Sequence, residues 1–402
     1  MNPRMLLSIF FICFLLPPEL SFNLGSMRLS PYRIVLILSF FKLINEVLFS
    51  PDKSKQERVV DFLILFHCSW SIISLMINEG VGKGIESGGI FFVETLGSYL
   101  LARYTIKNLK DFEYFLKIAM ISCLFIFPFA FYEMVTGTHV IRESASLLTG
   151  GYFFNNIEPR MGLTRAYANF EHPILLGVFG STLFLFFYFS KSIESKYIVP
   201  GTALFLTFSS LSSGGILAVV IQGALLIWDK VFNTFKIDNK WQKLVILMAS
   251  GYLLLSLVSQ SPLKLILSRI TFSQQTAYFR TLIFEFGSAE VVRNPIFGIG
   301  FSDWIRPLWM PPSVDNFWLL TAMRFGLPSL LSIIAAIFIV SSQVLKNKRH
   351  KFSLIYFIVL CSLVFAGCTV HFWNQLLIYF YFFLGIGISF FTTERTELNE
   401  KV

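Results

Sequence analysis

A few polar clusters interrupt an otherwise apolar chain, and their residue types suit phosphate and sugar hydroxyls. The longest is Arg160-Met161-Gly162-Leu163-Thr164-Arg165-Ala166-Tyr167-Ala168-Asn169-Phe170-Glu171-His172-Pro173. It gathers two Arg, an amide, a carboxylate and an imidazole. Arg280 stands in a second segment. Asp315-Asn316 form a third, with Arg324 about two helical turns further on. An Arg presents donors in a planar fork that holds phosphate oxygens. An Asp at the mouth of an apolar cavity can take a raised pKa and act as a base. Simpler uses compete. Arg at a membrane edge pairs with lipid headgroups, Asp315 can cap a helix beginning at Asn316 or Phe317, and His172 before Pro173 can serve at a helix start.

Other chemistry is not written in the chain. There is no Walker sequence. Gly298-Ile299-Gly300 lacks the preceding strand and third Gly of a dinucleotide fingerprint and reads as a turn. His67, His139, His172, His350 and His371 form no HExxH and no i, i+4 pair, so no structural metal is expected. Cys13, Cys68, Cys123, Cys361 and Cys368 fall inside apolar blocks without a CxxC pair and read as buried thiols.

The elements that must carry these residues are membrane helices. The 402 residues are 55% hydrophobic and 14% charged, with mean hydropathy +0.67, whereas a soluble domain is about 25% charged. Alternating ten-residue segments are missing, which excludes an outer-membrane barrel. The 47 Phe exclude a disordered chain. The expectation is an all-α, polytopic helical bundle forming one integral membrane domain over 1–402. Apolar blocks near the bilayer-crossing length predict twelve spans, at 5–20, 34–49, 59–77, 88–104, 115–135, 172–189, 197–211, 214–228, 244–259, 317–340, 354–370 and 373–391. The first also resembles a secretory signal, but only Pro17-Pro18-Glu19 follows, not a small-x-small cleavage site. With both ends inside, 20 of the 33 Lys and Arg fall on the inner side and 11 on the outer, mostly in two long loops. The net charge of +9 is therefore an orientation signal, not a nucleic-acid surface. No internal repeat is visible. The polar tail Thr392–Val402 is expected to fray.

Two outward loops, 136–171 and 260–316, are long enough to be functional. Both are aromatic, with Tyr152-Phe153-Phe154 in one and Phe301, Trp304 and Trp309 in the other. In the second, Tyr278, Phe279, Leu282, Ile283 and Phe286 share one helical stripe, with Arg280 off it. This predicts an amphipathic helix on the membrane's outer face, ended by Asn294-Pro295. Within the spans, Lys42, Glu46, Glu94, Glu133 and Arg324 are costly charges that face a cavity or a partner. They suit either a transporter's proton relay or buried pairs.

In order and spacing, residues 160–330 resemble the O-antigen ligase and Wzy-type polysaccharide polymerase superfamily, the WaaL-like membrane glycosyltransferases. Arg165 to Ile174, Arg-Ala-Tyr-Ala-Asn-Phe-Glu-His-Pro-Ile, is similar to the family's Arg-x-x-Gly-x-Phe-x-x-Pro. Ser209 to Gly215 resembles its Ser-rich turn between two spans. Tyr278-Phe279-Arg280 resembles its Arg-containing helix, and Asn294-Pro295-Ile296-Phe297-Gly298-Ile299-Gly300 its Asn-Pro-Gly-Gly signature. Asp315-Asn316 is followed after nine residues by Gly326-Leu327-Pro328.

The resemblance implies a donor glycan on undecaprenyl pyrophosphate and no cofactor or metal. Arg165 and Arg280 would bind the pyrophosphate and stabilise it as it leaves. Asp315 would orient or deprotonate the acceptor hydroxyl. Arg160, Asn169, His172, Asn316 and Arg324 would bind substrate. Trp304, Trp309, Tyr152 and Phe301 would stack on sugars or anchor at the interface. Implied partners are the lipid-linked oligosaccharide, membrane lipids, a chain-length regulator and a flippase, with no nucleic acid. The implied location is a bacterial inner membrane with the site on the periplasmic face. Two departures matter. Gly214 stands where family members often carry Arg, and Asp315 stands where ligases carry His. The second favours a polymerase over a ligase; a secondary transporter or flippase is the reading from another class.

Overall fold

The computed structural model describes residues 2–390, apart from Ser26, Asp52, Asn156, Ser192, Glu194 and the stretches 260–261, 263–265, 267–273 and 347–350. The polar tail and the first part of the second long loop thus lie outside the described residues. The protein is 75% helical, with fourteen α-helices among the described residues. Five are long and apolar enough to cross a membrane. These are α3 (Lys55–Glu79), α5 (Leu109–Thr136), α9 (Ser213–Thr234), α10 (Lys240–Val258) and α12 (Phe317–Lys346). Five shorter apolar helices accompany them: α1 (Pro3–Phe14), α7 (Pro173–Phe189), α8 (Ile198–Ser209), α13 (Lys351–Gly367) and α14 (Asn374–Phe390). α2 (Pro31–Leu43), continued by a π-helical turn at Ile44–Leu48, and α4 (Val81–Thr105) complete the set. Each of the twelve apolar blocks therefore falls on a helix.

A helix is not always a crossing. α1 has 12 residues, about 18 Å, against a hydrocarbon core of about 30 Å. The helix thus reaches only to Phe14 in the expected span over 5–20. Pro17 and Pro18 cannot continue a helix, and the chain turns through Pro18–Leu20 into a two-stranded antiparallel hairpin. Its strands, β1 (Phe22–Leu24) and β2 (Met27–Leu29), pair Phe22 with Leu29. This hairpin is the one departure from an all-α description among the described residues. α1 itself is a core element, with Phe10 stacked on Phe382 at 5.8 Å.

α14 is the innermost helix. Every residue from Gln375 to Ser389 is buried, and it packs on α4, α7 and α12, with Tyr379 against Phe179 of α7 and Phe383 stacked on Tyr356 of α13. α10 is the opposite case, apolar all round with no buried residue. A helix like that is stable only where its surroundings are apolar.

Connections sort to two ends. α3 begins at a buried network in which Arg103 donates to Glu57 at 2.7 Å and also pairs with Asp61, which Lys53 meets at 2.6 Å. Arg4 and Asp111 pair near that end. About 33 Å from Glu57 along α3, Glu79 accepts from the Phe301 N–H at 2.7 Å. The hairpin, both long loops, the Ser209–Gly215 turn and the 368–373 turn gather there, joined by Glu19–Arg142, Arg165–Ser210 and Arg280–Thr369 contacts.

Candidate active site

Five arginines are buried among the described residues. Three have carboxylate partners: Arg33 with Glu94, Arg103 with Glu57 and Asp61, and Arg142 with Glu19. Arg165 and Arg280 have none, although they are only 7% and 9% exposed. Backbone carbonyls hold them instead. Arg165 Nε donates to Ser210 O at 3.1 Å, and Arg280 Nη2 donates to Thr369 O at 2.9 Å. Arg160, partly buried, joins by donating to Leu211 O at 2.9 Å. A carbonyl fixes a guanidinium without neutralising it. The buried Arg280 Nε has no partner among the described residues.

Local sequence explains the placement. Arg160 and Leu163 exchange backbone hydrogen bonds around Met161 and Gly162, which closes a tight turn. The following strand of chain docks where Ala166 N donates to Ser209 O at 3.0 Å. Glu133, wholly buried near the end of α5, accepts from the Tyr167 and Ala168 N–H groups at 2.9 and 2.8 Å. The Ser-rich turn thus carries Arg160 and Arg165 on consecutive carbonyls. A Cβ on Gly214 would lie 2.6 Å from Val370, so this turn also abuts the 368–373 turn that holds Arg280.

Arg280 projects from α11 (Gln274–Arg293). The helix ends before Asn294-Pro295, as the sequence predicts. Ile283 is buried, and Phe279, Leu282 and Phe286 pack with it against Trp304, Leu319 and Met323. Tyr278 departs from the expected stripe and is exposed. The reason is that α11 is covered on two sides, by α12 and by the 368–373 turn, so the Arg280 face is the buried one.

Asp315 faces this group. It is exposed, yet the protein around it raises its pKa above the usual aspartate value, and Arg280 opposes that rise. Burial lowers Arg280, with a contribution from Arg160. Burial and then Arg160 bring Arg165 down to about 10. Asp315 is not the helix cap. Asn316 Oδ1 accepts from Leu319 N at 2.9 Å, and α12 starts at Phe317.

The Asn-Pro-Gly-Gly segment is a turn that clamps a break in α12. Gly326 there has φ 82° and ψ 172°. Ile299 N and Gly300 N donate to Met323 O and Arg324 O at 2.7 and 3.0 Å, and Leu327 N donates to Pro295 O at 2.7 Å. Trp70, Ser74 and Asn78 of α3 donate to carbonyls of the same two strands of chain. Three elements thereby fix the start of α12, which bears Asp315 and Arg324.

The remaining candidates divide. His172 caps α7, accepting from Ile174 N at 3.2 Å, and its ring meets Trp373 at 5.6 Å. Asn169 is buried elsewhere, donating to Leu15 O at 3.0 Å. Trp304 is buried with its Nε1 on Pro312 O at 3.0 Å, while Trp309 is exposed. Arg324 lies over Phe301 at 5.2 Å and opens onto a separate cavity. Three contributors escape sequence reading, Thr369, His371 and Trp373, and Glu133 stands out there only as a costly charge within a span, not as the anchor of this loop. Glu133 is 32 positions before Arg165, and the 368–373 turn has no polar pattern; neither carries a local signal of its partner. A scan against protein-family models finds no match for the chain, and a search of curated proteins finds none.

Proposed function

We propose that the protein is a membrane polysaccharide polymerase of the Wzy type. It transfers a glycan from undecaprenyl pyrophosphate to a sugar hydroxyl of another lipid-linked repeat unit. The observation that carries this reading is the pair of buried arginines without carboxylates, joined by Arg160 and facing Asp315. An uncompensated buried cation is costly, and a pyrophosphate would compensate it. In this reading the twelve apolar segments sit in a bacterial inner membrane, and the gathered loops face the periplasm.

The chemistry balances without a further group. An oxygen of the acceptor sugar attacks the anomeric carbon as the bond to the pyrophosphate oxygen breaks. Asp315 accepts the hydroxyl proton, and a raised pKa brings it closer to that task. The electron pair leaves on the pyrophosphate, where Arg160, Arg165 and Arg280 stabilise it. One displacement inverts the anomeric centre. Gly214, where family members often carry Arg, has no room beside Val370, and Arg160 holds the same turn instead.

A ligase would use the same donor half with a different acceptor. The transporter reading loses support from the charges inside the helices. Glu94 is paired with Arg33, and Glu133 accepts from two backbone N–H groups. Deleting the gene and separating the surface polysaccharide and lipid-linked glycans on gels tests the reading. Collapse of the ladder to single repeat units is expected; long chains stranded on the lipid would mean a ligase, and an unchanged pattern would refute both. Arg165→Ala and Arg280→Ala should each abolish extension at normal membrane level.

A further inference from the structure

A second cavity, of about 260 Å³, opens beside the arginine cluster and is not used by the chemistry above. Its walls come from α3, α4, the start of α12 and the 368–373 turn. Arg324 lines it, and among the described residues no group accepts a hydrogen bond from this guanidinium or pairs with it. Its one contact of note is the Phe301 ring, 5.2 Å away. The other charges on the wall cancel, because Glu94 is held by Arg33 at 2.6 and 2.9 Å. His371 adds a buried Nδ1 without a partner, and its ring is parallel to that of Trp373 at 5.7 Å. Burial and then the charge of Arg324 push His371 down to about 3, so it is neutral at physiological pH. The cavity therefore offers one uncompensated cation, a neutral imidazole and an aromatic wall that includes Phe301 and Trp373.

We infer that this cavity seats an acidic sugar ring, with its carboxylate on Arg324 and its ring against Trp373 or Phe301. A hydrated anion alone would leave the aromatic walls unused, and a neutral sugar would cover the half-buried Arg324 without giving it a counter-charge. The volume is just below the usual small-molecule range of about 300–1,000 Å³, which suits one ring and not an extended chain. His172 meets Trp373 from the arginine-cluster side, so the two sites share a wall. Resting on the polymerase reading, this makes the cavity the acceptor's subsite, and the repeat unit then carries a carboxylate-bearing sugar within a few residues of its acceptor hydroxyl.

The test is binding of glucuronate, glucose and inorganic phosphate to the full chain in nanodiscs, by ligand-observed NMR. Wild type, Arg324→Gln, Trp373→Ala and Arg280→Gln are compared, with monodispersity checked by size exclusion. A charge-assisted contact of this kind gives about tenfold or more in affinity. Glucuronate should therefore bind about tenfold better than glucose, lose that advantage in Arg324→Gln, weaken in Trp373→Ala and keep it in Arg280→Gln. Equal binding of the two sugars, or an advantage lost in Arg280→Gln and kept in Arg324→Gln, would overturn the assignment. So would full displacement of glucuronate by phosphate in Arg280→Gln, which would make the occupant a phosphate, free or on a lipid headgroup. The functional reading fails separately: normal chain length in Arg280→Ala would remove the polymerase and leave an acidic-sugar site intact.

Discussion

Glu133 should decide whether the arginine cluster is built or incidental. The carboxylate makes no contact with any of the four arginines near the cavities, yet it ties down the loop that carries two of them. Its Oε2 accepts from Tyr167 N at 2.9 Å and Ala168 N at 2.8 Å, and Ala168 adopts a positive φ of 49° that those bonds help to hold. Hydrogen bonds to a charged group contribute about 1.5–3 kcal/mol each. Glu133→Ala therefore removes about 3–6 kcal/mol if the loop stays closed. The loop can also open and find water, which places the expected loss at the lower end, about 3 kcal/mol. For a chain of this size that is a fall in melting temperature on the order of 5 °C. Glu133→Gln keeps an accepting oxygen without its charge, and neutral hydrogen bonds are about half as strong, so about half the fall is expected. Activity should suffer more than stability, because a shift of about 1 Å at Arg165 costs about 100-fold. The assays are thermal unfolding of the purified protein by intrinsic fluorescence, limited proteolysis of the 160–171 loop, and the glycan ladder. If Glu133→Ala melts and resists protease like wild type, the loop is held by something else and this account of Arg165 is wrong.

Three further outcomes follow from the same geometry. Asp315→Asn should lower extension by about 100- to 10,000-fold without lowering the melting temperature. The sign is set by the raised pKa: ionising Asp315 costs more in the fold than in the unfolded chain, so its contribution to stability falls as pH rises from the unfolded value through the raised one. Removing the charge is then neutral or stabilising at pH 7, and a clear loss of melting temperature would count against the assignment. Asn316→Ala should cost about 1 kcal/mol as a lost helix cap, and Asn316→Asp should restore most of it; equal melting of Asn316→Ala and wild type would show that the cap is idle. Gly326→Ala should prevent accumulation of folded protein, because its Cβ would fall 1.9 Å from Ile296 O at a φ that side chains avoid; a well-behaved variant by size exclusion would contradict the clamp at the helix break.

Hydrophobic blocks made the helices legible, because apolar length is a one-dimensional property that any window can measure. The same measure overshoots the helix at α1, where the apolar run continues to Leu16 but the helix ends at Phe14, ahead of Pro17 and Pro18. The polar segments were also legible as segments. Arg165, Arg280 and Asp315 stand out because charge is rare in this chain, and the structure gathers them at one end. What the sequence could not supply was the partner of each. In the sequence Arg280 stands only as a residue off the apolar stripe of an amphipathic helix. It is buried because the 368–373 turn lies across that face, and nothing in Thr369 or Val370 announces such a contact. Asp315 and Asn316 are adjacent and equally able to cap; only the Leu319 N–H bond separates their roles.

The choice of backbone carbonyls as partners for Arg160, Arg165 and Arg280 has a consequence for how the site can work. A carboxylate partner would hold each guanidinium as firmly, but it would cancel the charge and compete with any incoming anion. A carbonyl leaves the charge intact and occupies only one or two of the five N–H groups. Three such arginines at one end of the bundle, with Asp315 acting on Arg280 alone of the buried pair, give a region that is strongly positive before a ligand arrives. It is also too desolvated for water to screen fully, which Arg165 reports by losing affinity for its own proton. Such a region binds a diphosphate most tightly when its charge is highest, which is after the glycosidic bond has broken. The same geometry would then slow release of the product. Asp315 answers part of that difficulty if it holds the proton taken from the acceptor, since returning that proton to the pyrophosphate lowers the product's charge and weakens its hold on the arginines. Arg280, whose charge acts on Asp315, would in that reading link binding to release.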